Sequence, residues 1–348
     1  MKAWPALLLF AACTSSDPQE PPPSCGTPTL SDQLATTQNQ VLSLALANGQ
    51  LYWLDMGGIG VVPTDASSGS AGVELATGGT GDVFALGGTI ATNGSTVFWA
   101  DGNFPSGSVD SIAASGAGRA TIASVDEPIG VAFDATNIYF STFGSSDNAV
   151  GTIVKQPLGG GAAIVLASNL STVGPIAIDS TNVYWSDMFG GVASVAIAGG
   201  PVTTLVPAQY TLPPSTILDD TPAAIAVANG NVYWTSTPLD GSAPGTIDAV
   251  ATTGGTARIV ATPATRPTGL AVDDTFVYWS EVGPITSGGG LGVPPVADQG
   301  SLSRVELVGG TPQVLATGAT YPVGPVVSDN ALYYSSGSSA STLFRIVM

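Results

Sequence analysis

A short apolar strand that closes on two adjacent aromatic residues recurs seven times along this chain. Successive copies are 46, 41, 45, 49, 45 and 55 residues apart, counted between their first aromatics, Tyr52, Phe98, Tyr139, Tyr184, Tyr233, Tyr278 and Tyr333. A period of roughly 40–50 residues that contains strands is typical of a β-propeller blade. The repeat therefore predicts an all-β, seven-bladed β-propeller. Six blades is the alternative if one of the weakest copies, at Phe98 and Tyr333, is not a blade.

The fourth copy shows four strand segments within one period. Strand A is predicted over 175–178, strand B over 183–186, strand C over 191–197 and strand D over 202–206, with Asp, Asn and Gly between them. Such residues supply the positive φ angles that tight hairpins need. Alanine stands seven residues before the first aromatic in six copies, which we attribute to crowding of the innermost strands around the ring axis: Ala45, Ala91, Ala132, Ala177, Ala226 and Ala271.

The seventh copy lacks an outer strand at the C-terminal end of the chain. Residues 341–348 match strand C and are the last residues, whereas residues 34–36 (Leu-Ala-Thr) resemble the outer-strand residues 166–168 and 315–317. Leu34 also precedes Tyr52 by the 18 residues that separate Leu166 from Tyr184. We therefore expect residues 28–37 to add the outer strand to the seventh blade, which closes the ring and leaves no unpaired edge there.

The N-terminal residues have the pattern of an export signal. One Lys, a run of about eight apolar residues and two alanines precede Cys13, which predicts a secretory signal peptide over 1–12, too short to span a membrane. The Cys after two alanines resembles a bacterial lipobox, so we expect Cys13 to be lipidated; an ordinary signal peptide cleaved near Ala12 is the alternative. Residues 13–27 are Pro-rich and favour an extended tether, and residues 28–348 are assigned to the propeller. The expected location is the cell envelope, anchored at the outer membrane or surface, with secretion as the alternative.

The chain is strongly acidic and contains no histidine. Its formal net charge is −18, with seven Lys and Arg in 348 residues, which argues against nucleic acid and against anionic lipid headgroups as partners. Any membrane contact is therefore expected through the lipid anchor alone. The absence of His excludes a Ser-His-Asp triad, a His-ligated metal and an imidazole general base. We expect no cofactor, with Ca²⁺ as the one candidate.

Two copies resemble a known repeat family closely. Residues 51–55 (Leu-Tyr-Trp-Leu-Asp) and 183–187 (Val-Tyr-Trp-Ser-Asp) are similar to the tyrosine-tryptophan-threonine-aspartate (YWTD) repeats of lipoprotein-receptor propellers. The chain also resembles bacterial surface lipoproteins with similar repeats. The resemblance covers 28–348 and implies a propeller, while propellers of this kind host binding, signalling and enzymatic roles alike. The chain departs from the receptor pattern, which has six blades, because no copy keeps the Thr-Asp pair: only Thr235 keeps the Thr, and Ser236 follows it.

Acidic residues recur three positions after the first aromatic in four copies. Because strand B ends there, these residues are expected at the end of the propeller where the B–C and D–A loops emerge: Asp55, Asp101, Asp187 and Glu281. Converging carboxylates can hold Ca²⁺, which takes six to eight oxygen ligands. The alternative is that each carboxylate caps its own hairpin. Asp134, Asp179 and Asp273 fall in the A–B turns at the opposite end and are interpreted as Asx-turn residues.

Three insertions interrupt the otherwise compact repeat, at 207–221, 236–245 and 281–300. All three are expected at the D–A/B–C end, and long loops on a rigid scaffold commonly carry recognition. The candidate ligand-binding residues there are Tyr210, Asp219, Asp220 and Asp240, an aromatic and carboxylates that suit sugars or basic peptides. The sequence therefore favours an exported, lipid-anchored, monomeric, non-catalytic propeller that binds an envelope protein or glycan. The alternative is a Ca²⁺-dependent or carboxylate-based hydrolase on the acidic loops.

Overall fold

The computed structural model contains seven antiparallel sheets of four strands each and no helix in the part of the chain that it describes. The described residues are 31–77, 89–102, 107–143, 151–170, 173–187, 191–208, 224–237, 244–263, 265–283, 297–328 and 330–348. Within these ranges, no helix is long and apolar enough to cross a membrane. The prediction of a seven-bladed propeller is confirmed, and the copies at Phe98 and Tyr333 are both complete blades.

Strands A to D follow one another along the chain in the first three blades. Blade 1 contains β2 (Val41–Ala47), β3 (Gln50–Asp55), β4 (Gly58–Pro63) and β5 (Val73–Thr77). Blade 2 contains β6 (Ile90–Thr92), β7 (Thr96–Asp101), β8 (Gly107–Ala113) and β9 (Ala120–Val125). Blade 3 contains β10 (Pro128–Phe133), β11 (Asn137–Thr142), β12 (Gly151–Pro157) and β13 (Ile164–Leu170).

The next three blades repeat this order. Blade 4 contains β14 (Val173–Ile178), β15 (Asn182–Asp187), β16 (Val192–Ala196) and β17 (Thr203–Val206). Blade 5 contains β18 (Ile225–Ala228), β19 (Asn231–Ser236), β20 (Thr246–Ala251) and β21 (Arg258–Ala261). Blade 6 contains β22 (Arg266–Val272), β23 (Phe276–Val282), β24 (Gly300–Glu306) and β25 (Gln313–Ala319).

Blade 7 joins the two ends of the described chain in one sheet. It contains β26 (Val323–Ser328), β27 (Ala331–Ser336), β28 (Thr342–Val347) and, as its outer strand, β1 (Ser31–Thr36). β1 pairs antiparallel with β28, and Leu34 is completely buried in the core between blades 7 and 1. The closure predicted from the position of Leu34 is therefore confirmed.

The core of the protein lies between the blades. Each buried cluster joins two neighbouring sheets, and the aromatic residues of strand B are its largest members. Strand B is apolar on both faces because each sheet is covered by its two neighbours. Five of the six alanines that stand seven residues before the first aromatic lie in or against the inter-blade clusters, namely Ala45, Ala91, Ala132, Ala177 and Ala271.

A glycine at the start of strand C lies close to a proline of the next blade. A Cβ atom at Gly107 would lie 2.5 Å from the Cδ of Pro128, which begins the next blade, and one at Gly300 would lie 3.0 Å from the Cδ of Pro322. A Cβ atom would also meet backbone oxygens of the same blade, Asp101 O at 2.4 Å from Gly107 and Glu281 O at 2.8 Å from Gly300. Glycine is therefore favoured at these positions by close approach from both its own blade and the next, and its φ angle plays no part.

Basic side chains tie neighbouring blades together at the end where the A–B and C–D turns lie. Lys155 Nζ of blade 3 donates to the carbonyl oxygen of Ile197 in blade 4 at 3.1 Å. Arg258 Nη2 of blade 5 donates to Leu307 O in blade 6, and Arg345 Nη1 of blade 7 to Thr64 O in blade 1, both at 2.7 Å. The three acceptors occupy the same position, the first residue after strand C. These cations therefore have a structural role.

Candidate functional site

The four predicted acidic residues each stand at or near the end of strand B in a different blade, at the D–A/B–C end of the ring. Asp55 is buried and its Oδ1 accepts the backbone N–H groups of Gly57 at 2.7 Å and Gly58 at 3.0 Å. Its Oδ2 accepts the indole N–H of Trp53 at 3.2 Å. Asp187 Oδ1 likewise accepts the N–H of Gly191 at 2.8 Å. Both carboxylates cap their own B–C connection.

Glu281 makes a different set of contacts because its side chain is one methylene longer. Its Oε2 accepts the backbone N–H and the hydroxyl of Thr265, each at 3.0 Å, and its Oε1 accepts the hydroxyl of Ser301 at 2.8 Å. The indole Nε1 of Trp279, which corresponds to that of Trp53, is buried and has no hydrogen-bond partner among the described residues. Glu281 therefore connects its hairpin to the preceding D–A connection.

Asp101 is also buried, at the end of β7 in blade 2. Within the described residues, no group of three or more His, Cys, Asp or Glu side chains is placed to hold a metal ion. The hydrogen bonds of Asp55, Asp187 and Glu281 match the capping role that the sequence left as the alternative. The remaining candidates, Tyr210, Asp219, Asp220 and Asp240, lie outside the described residues, as does Cys13.

Glu127 is a further carboxyl in the loops of this end. Glu127 stands directly before β10 with a positive φ of 44°, a conformation that non-glycine residues adopt rarely. Its Oε2 atom is buried and, within the part of the chain that the structure describes, has no hydrogen-bond partner. Burial, and secondly the charge of Asp126, raise the pKa of Glu127 above its usual value. Tyr321, which occupies the matching connection before blade 7, also has a positive φ, of 47°.

The opposite end of the ring shows why three A–B turns contain Asp. Oδ1 of Asp179 accepts the N–H groups of Thr181 and Asn182, at 2.7 and 2.8 Å, so the predicted Asx turn is confirmed, as it is for Asp134 and Asp273. Each of these aspartates also accepts the hydroxyl of the strand-B tyrosine five residues later. The O···O distances are 2.6 Å for Tyr139, 2.7 Å for Tyr184 and 2.7 Å for Tyr278.

These tyrosine–aspartate contacts change the acidity of both partners. Burial, together with the hydrogen bond to Asp179, raises the pKa of Tyr184 to about 12. Tyr278 is raised to a pKa of about 12 by burial and Asp273. Although burial acts to raise it, the pKa of Asp179 is lowered overall, because Tyr184 and the turn N–H groups donate to the carboxylate. The sequence contained a signal for this contact, since each of the three Asp copies has Tyr, not Phe, five residues later.

A channel runs along the ring axis. Its cavity volume is about 380 Å³, and all seven innermost strands or the residues just before them contribute to its wall. The wall is formed largely by aliphatic side chains such as Leu44, Ile90, Ile176 and Leu270, and no charged residue belongs to it. The channel is therefore neutral, unlike the loops around its mouth.

The charge of the chain is divided unequally between the two ends of the ring. By sequence, the D–A and B–C connections with their bordering residues hold Asp55, Asp82, Asp101, Asp126, Glu127, Asp147, Asp187, Asp219, Asp220, Asp240, Glu281 and Asp298. Arg266 is the only Lys or Arg in these segments. Lys155, Arg258 and Arg345 contact carbonyl groups at the other end, as described above. The D–A/B–C end therefore carries most of the net negative charge.

Comparison with known proteins identifies the fold and no family. No protein-family model matches the chain, and no curated protein matches it. Among solved structures, it is similar to the WD40 β-propeller domain of Doa1, with 12% identity over 91% of this chain and 97% of that one and a TM-score of 0.63. It is also similar to the β-propeller domain of the Trilobed protease from Pyrococcus furiosus, with 9% identity, 88% and 95% coverage and a TM-score of 0.58.

An oligogalacturonate lyase from Vibrio parahaemolyticus is a third similar structure, with 12% identity over 91% of this chain and 92% of that chain and a TM-score of 0.55. The names of the three structures describe a WD40 domain, a protease domain and a lyase, so function varies widely on this architecture. At these identities the likeness concerns the fold alone. The chain is a β-propeller, as its aromatic repeat predicted.

Proposed function

We propose that this protein is an exported, lipid-anchored, non-catalytic propeller that binds a partner at its D–A/B–C end. The observation that carries this proposal is the unequal division of charge between the two ends of the ring. A rigid ring that concentrates carboxylates at one end attracts cationic groups there and raises their local concentration. An envelope protein with a basic patch, or a glycan that donates hydroxyl groups to carboxylates, fits this chemistry.

The hydrogen bonding of the acidic residues supports a binding role over a catalytic one. Asp55, Asp187 and Glu281 use their oxygens on backbone and hydroxyl donors of their own connections, which fixes the shape of the loops. Candidate contact groups are then the carboxylates outside these caps, namely Asp219, Asp220 and Asp240, together with Tyr210. These four residues stand in the insertions that depart most from the repeat.

The test is capture of the partner from a solubilised cell-envelope fraction. Asp219→Asn/Asp220→Asn/Asp240→Asn should reduce capture at least tenfold relative to the unmodified protein. The matched control is Asp65→Asn/Glu74→Gln/Asp274→Asn, which removes the same charge from exposed residues toward the A–B/C–D end and should capture normally. Equal capture by both triple variants would contradict the proposal. Protease or glycosidase treatment of the fraction then distinguishes a protein partner from a glycan.

The lipid anchor has its own test. Cys13→Ala should move the protein from the membrane fraction to the soluble fraction, because the anchor is the expected membrane contact. Retention of the variant in salt-washed membranes would contradict the anchoring part of the proposal and leave the binding part to the capture experiment.

One observation favours the alternative, carboxylate-based hydrolysis. The raised pKa of Glu127 and its unpartnered, buried Oε2 are properties of carboxyl groups that act as general acids. If this alternative holds, Glu127→Gln should abolish hydrolysis of an envelope glycan while leaving the thermal unfolding temperature unchanged. Stoichiometric Ca²⁺ in the purified protein would favour the calcium-dependent form of the same alternative.

A further inference from the structure

The exposed large aliphatic side chains of the described residues are concentrated at one end of the ring. They stand in the C–D connections, at the first two positions of strand D, or at the end of β28, and we call them the apolar rim: Val73, Ile164, Val165, Val202, Ile259, Val308, Val314, Val347 and Met348. All nine positions belong to the A–B/C–D end, since strand C ends and strand D begins there. Within the described ranges, Met56 is the one exposed large hydrophobic residue at the other end.

A contact between blades 5 and 6 brings two members of the apolar rim together. Arg258 Nη2 of blade 5 donates to Leu307 O of blade 6 at 2.7 Å. Ile259 directly follows the donor and Val308 directly follows the acceptor, so the two residues are neighbours across the junction of the blades. Ile259 is 62% exposed and Val308 is 81% exposed. Most of the surface of both residues is therefore open to a partner.

The apolar rim continues from blade 6 to blade 7. Arg304 Nε donates to Gln313 Oε1 at 3.0 Å, and Nη1 of the same guanidinium lies 3.7 Å from the sulfur of Met348. Val314 follows Gln313 along β25, and Val347 precedes Met348 at the end of β28. Both valines are more than half exposed. The exposed aliphatic residues of blades 5, 6 and 7 therefore follow one another around the edge of the ring.

The C–D connections of blades 3 to 6 contain no charged residue. They are Leu-Gly-Gly-Gly-Ala-Ala at 158–163, Ile-Ala-Gly-Gly-Pro-Val at 197–202, Thr-Thr-Gly-Gly-Thr-Ala at 252–257 and Leu-Val-Gly-Gly-Thr-Pro at 307–312. Four neighbouring uncharged connections stand out in a chain whose formal net charge is −18. Grouped aliphatic residues on an uncharged surface are typical of an interaction surface, whereas single exposed ones are not.

The chain that precedes the described structure indicates what covers the apolar rim. Ser31, the first described residue, pairs with Ile346, and Val347 follows directly, so the chain enters the ring beside the rim. The preceding residues 14–30 are Pro-rich, and an extended chain of this kind spans about 3 Å per residue, or about 50 Å in all. A lipid on Cys13 would thus keep the rim within reach of the bilayer, at a high effective concentration.

We propose that the apolar rim docks onto the zwitterionic surface of the bilayer that carries the lipid anchor, as a second membrane contact. This inference rests on the anchor of the proposed function. Transfer of the aliphatic side chains out of water stabilises the contact. Because these side chains insert only partly, the rim supplements the anchor and does not replace it. The aspartates of the A–B turns at the same end disfavour an anionic bilayer: Asp134, Asp179 and Asp273.

The test attaches the protein to a bilayer independently of lipidation. A hexahistidine replaces residues 1–13 and holds the chain on phosphatidylcholine vesicles that contain a nickel-chelating lipid. Cys25→Ser removes the remaining native thiol, and Val308→Cys carries the environment-sensitive dye NBD. Vesicles should raise the NBD emission at least threefold and shift it to shorter wavelength, whereas the dye on Met56→Cys should keep its emission in water. Unchanged emission from residue 308 would overturn the proposal.

Substitutions elsewhere in the apolar rim test whether its members act together. Ile259→Ser/Val314→Ser/Val347→Ser should reduce the vesicle-induced change at residue 308 at least twofold, and Met56→Ser, the matched control, should leave it intact. Equal changes in the two variants would contradict docking by the rim. An emission that is already shifted without vesicles, together with a dimer in analytical ultracentrifugation, would assign the rim to a second copy of this chain and overturn the proposal.

Two further results separate the lipid source and the anchor. Replacing phosphatidylcholine by anionic phosphatidylglycerol should lower the emission change, and a larger change would overturn the assignment to a zwitterionic surface. Because the hexahistidine provides the attachment, these results do not depend on lipidation. The Cys13→Ala fractionation described above tests the anchor alone, so failure of the anchor and failure of the rim contact are distinguished.

Discussion

Arg345, near the end of the chain, donates to Asp32, near the start of the described chain, across 2.7 Å between Nη2 and Oδ2. The two residues are direct partners in the β1–β28 ladder. The same guanidinium donates through Nη1 to Thr64 O of blade 1. Arg345 therefore connects the outer strand of blade 7, its own strand and the neighbouring blade at the point where the ring closes.

Replacing Arg345 should weaken ring closure measurably. Arg345→Met keeps the aliphatic stem and removes both contacts, so we expect the free energy of unfolding to fall by about 1–2 kcal/mol. Asp32→Asn should cost less than about 1 kcal/mol, since Asp32 is half-exposed. Urea unfolding measures both changes.

Deletion of residues 28–37, which exposes the edge of β28, should cause aggregation or a much lower melting temperature. A deletion variant that stays monomeric and melts normally would contradict the closure argument.

Because neighbouring blades make close contacts, we expect replacement of glycine by alanine to destabilise the protein strongly at some positions and hardly at others. A Cβ atom at Gly269 would overlap the carbonyl oxygen of Gly324 on the neighbouring blade, so Gly269→Ala should destabilise the protein by about 3 kcal/mol or more. Gly159→Ala is the control, because Gly159 has open space around its Cβ direction, and the change should stay within about 0.5 kcal/mol. Thermal unfolding that fails to separate the two variants would show that the blades can move apart at Gly269.

The tyrosine–aspartate contacts predict a pH-dependent contribution to stability. Tyr184→Phe removes the hydroxyl bound by Asp179 and should lower the free energy of unfolding by about 1 kcal/mol at neutral pH. Because the folded-state pKa of Asp179 is lowered, this contribution is present above the unfolded pKa of about 4 and is lost as the pH falls below it. The difference between variant and unmodified protein should therefore shrink in acid.

The same contact can be followed directly by ultraviolet titration. Tyr184 should ionise only near pH 12, and Asp179→Asn should bring its ionisation to lower pH, since the carboxylate no longer opposes the phenolate. Tyr184→Phe identifies the transition by its loss from the titration curve. An unchanged midpoint in Asp179→Asn would mean that burial alone controls the acidity of Tyr184.

The pH dependence of stability that arises from Asp248 should be opposite in sign to that from Asp179. Burial raises the pKa of Asp248 in the folded state, so the folded protein favours the protonated carboxyl. The stability that this carboxyl contributes is complete below the unfolded-state pKa. It is lost as the pH rises through the folded-state pKa. Asp248→Asn should therefore be more stable than the unmodified protein at neutral pH, and this advantage should disappear in acid. Parallel thermal scans between pH 3 and pH 7 test this, with Asp274→Asn, an exposed site, as the control.

The sequence predicted the fold well because the propeller repeats one local pattern. The aromatic pair marks strand B in every copy, and the turn residues and the spacing of Leu34 indicate which strands pair within one sheet. The sequence was less informative about the hydrogen bonds that join different blades. The acceptor of Lys155 is a backbone carbonyl, at Ile197, and any residue type provides one, so no side-chain pattern marks this contact.

The sequence indicated where acidic residues stand along strand B better than it indicated what their side chains bind. The acids at the end of strand B were placed correctly, but whether a carboxylate caps a hairpin or binds a ligand depends on donors such as the N–H groups of Gly57 and Gly58, which the spacing of acids does not reveal.

Ring closure by β1 also determines how the molecule is oriented on a surface. β1 is an outer strand, and Ser31 at its start pairs with Ile346 near the end of β28, so both described ends of the chain lie at the A–B/C–D end of the ring. The tether proposed for residues 13–27 would therefore leave the ring from that end. If the tether is anchored in a membrane, the propeller is held with its structural cations toward the lipid and its acidic loops toward the surroundings.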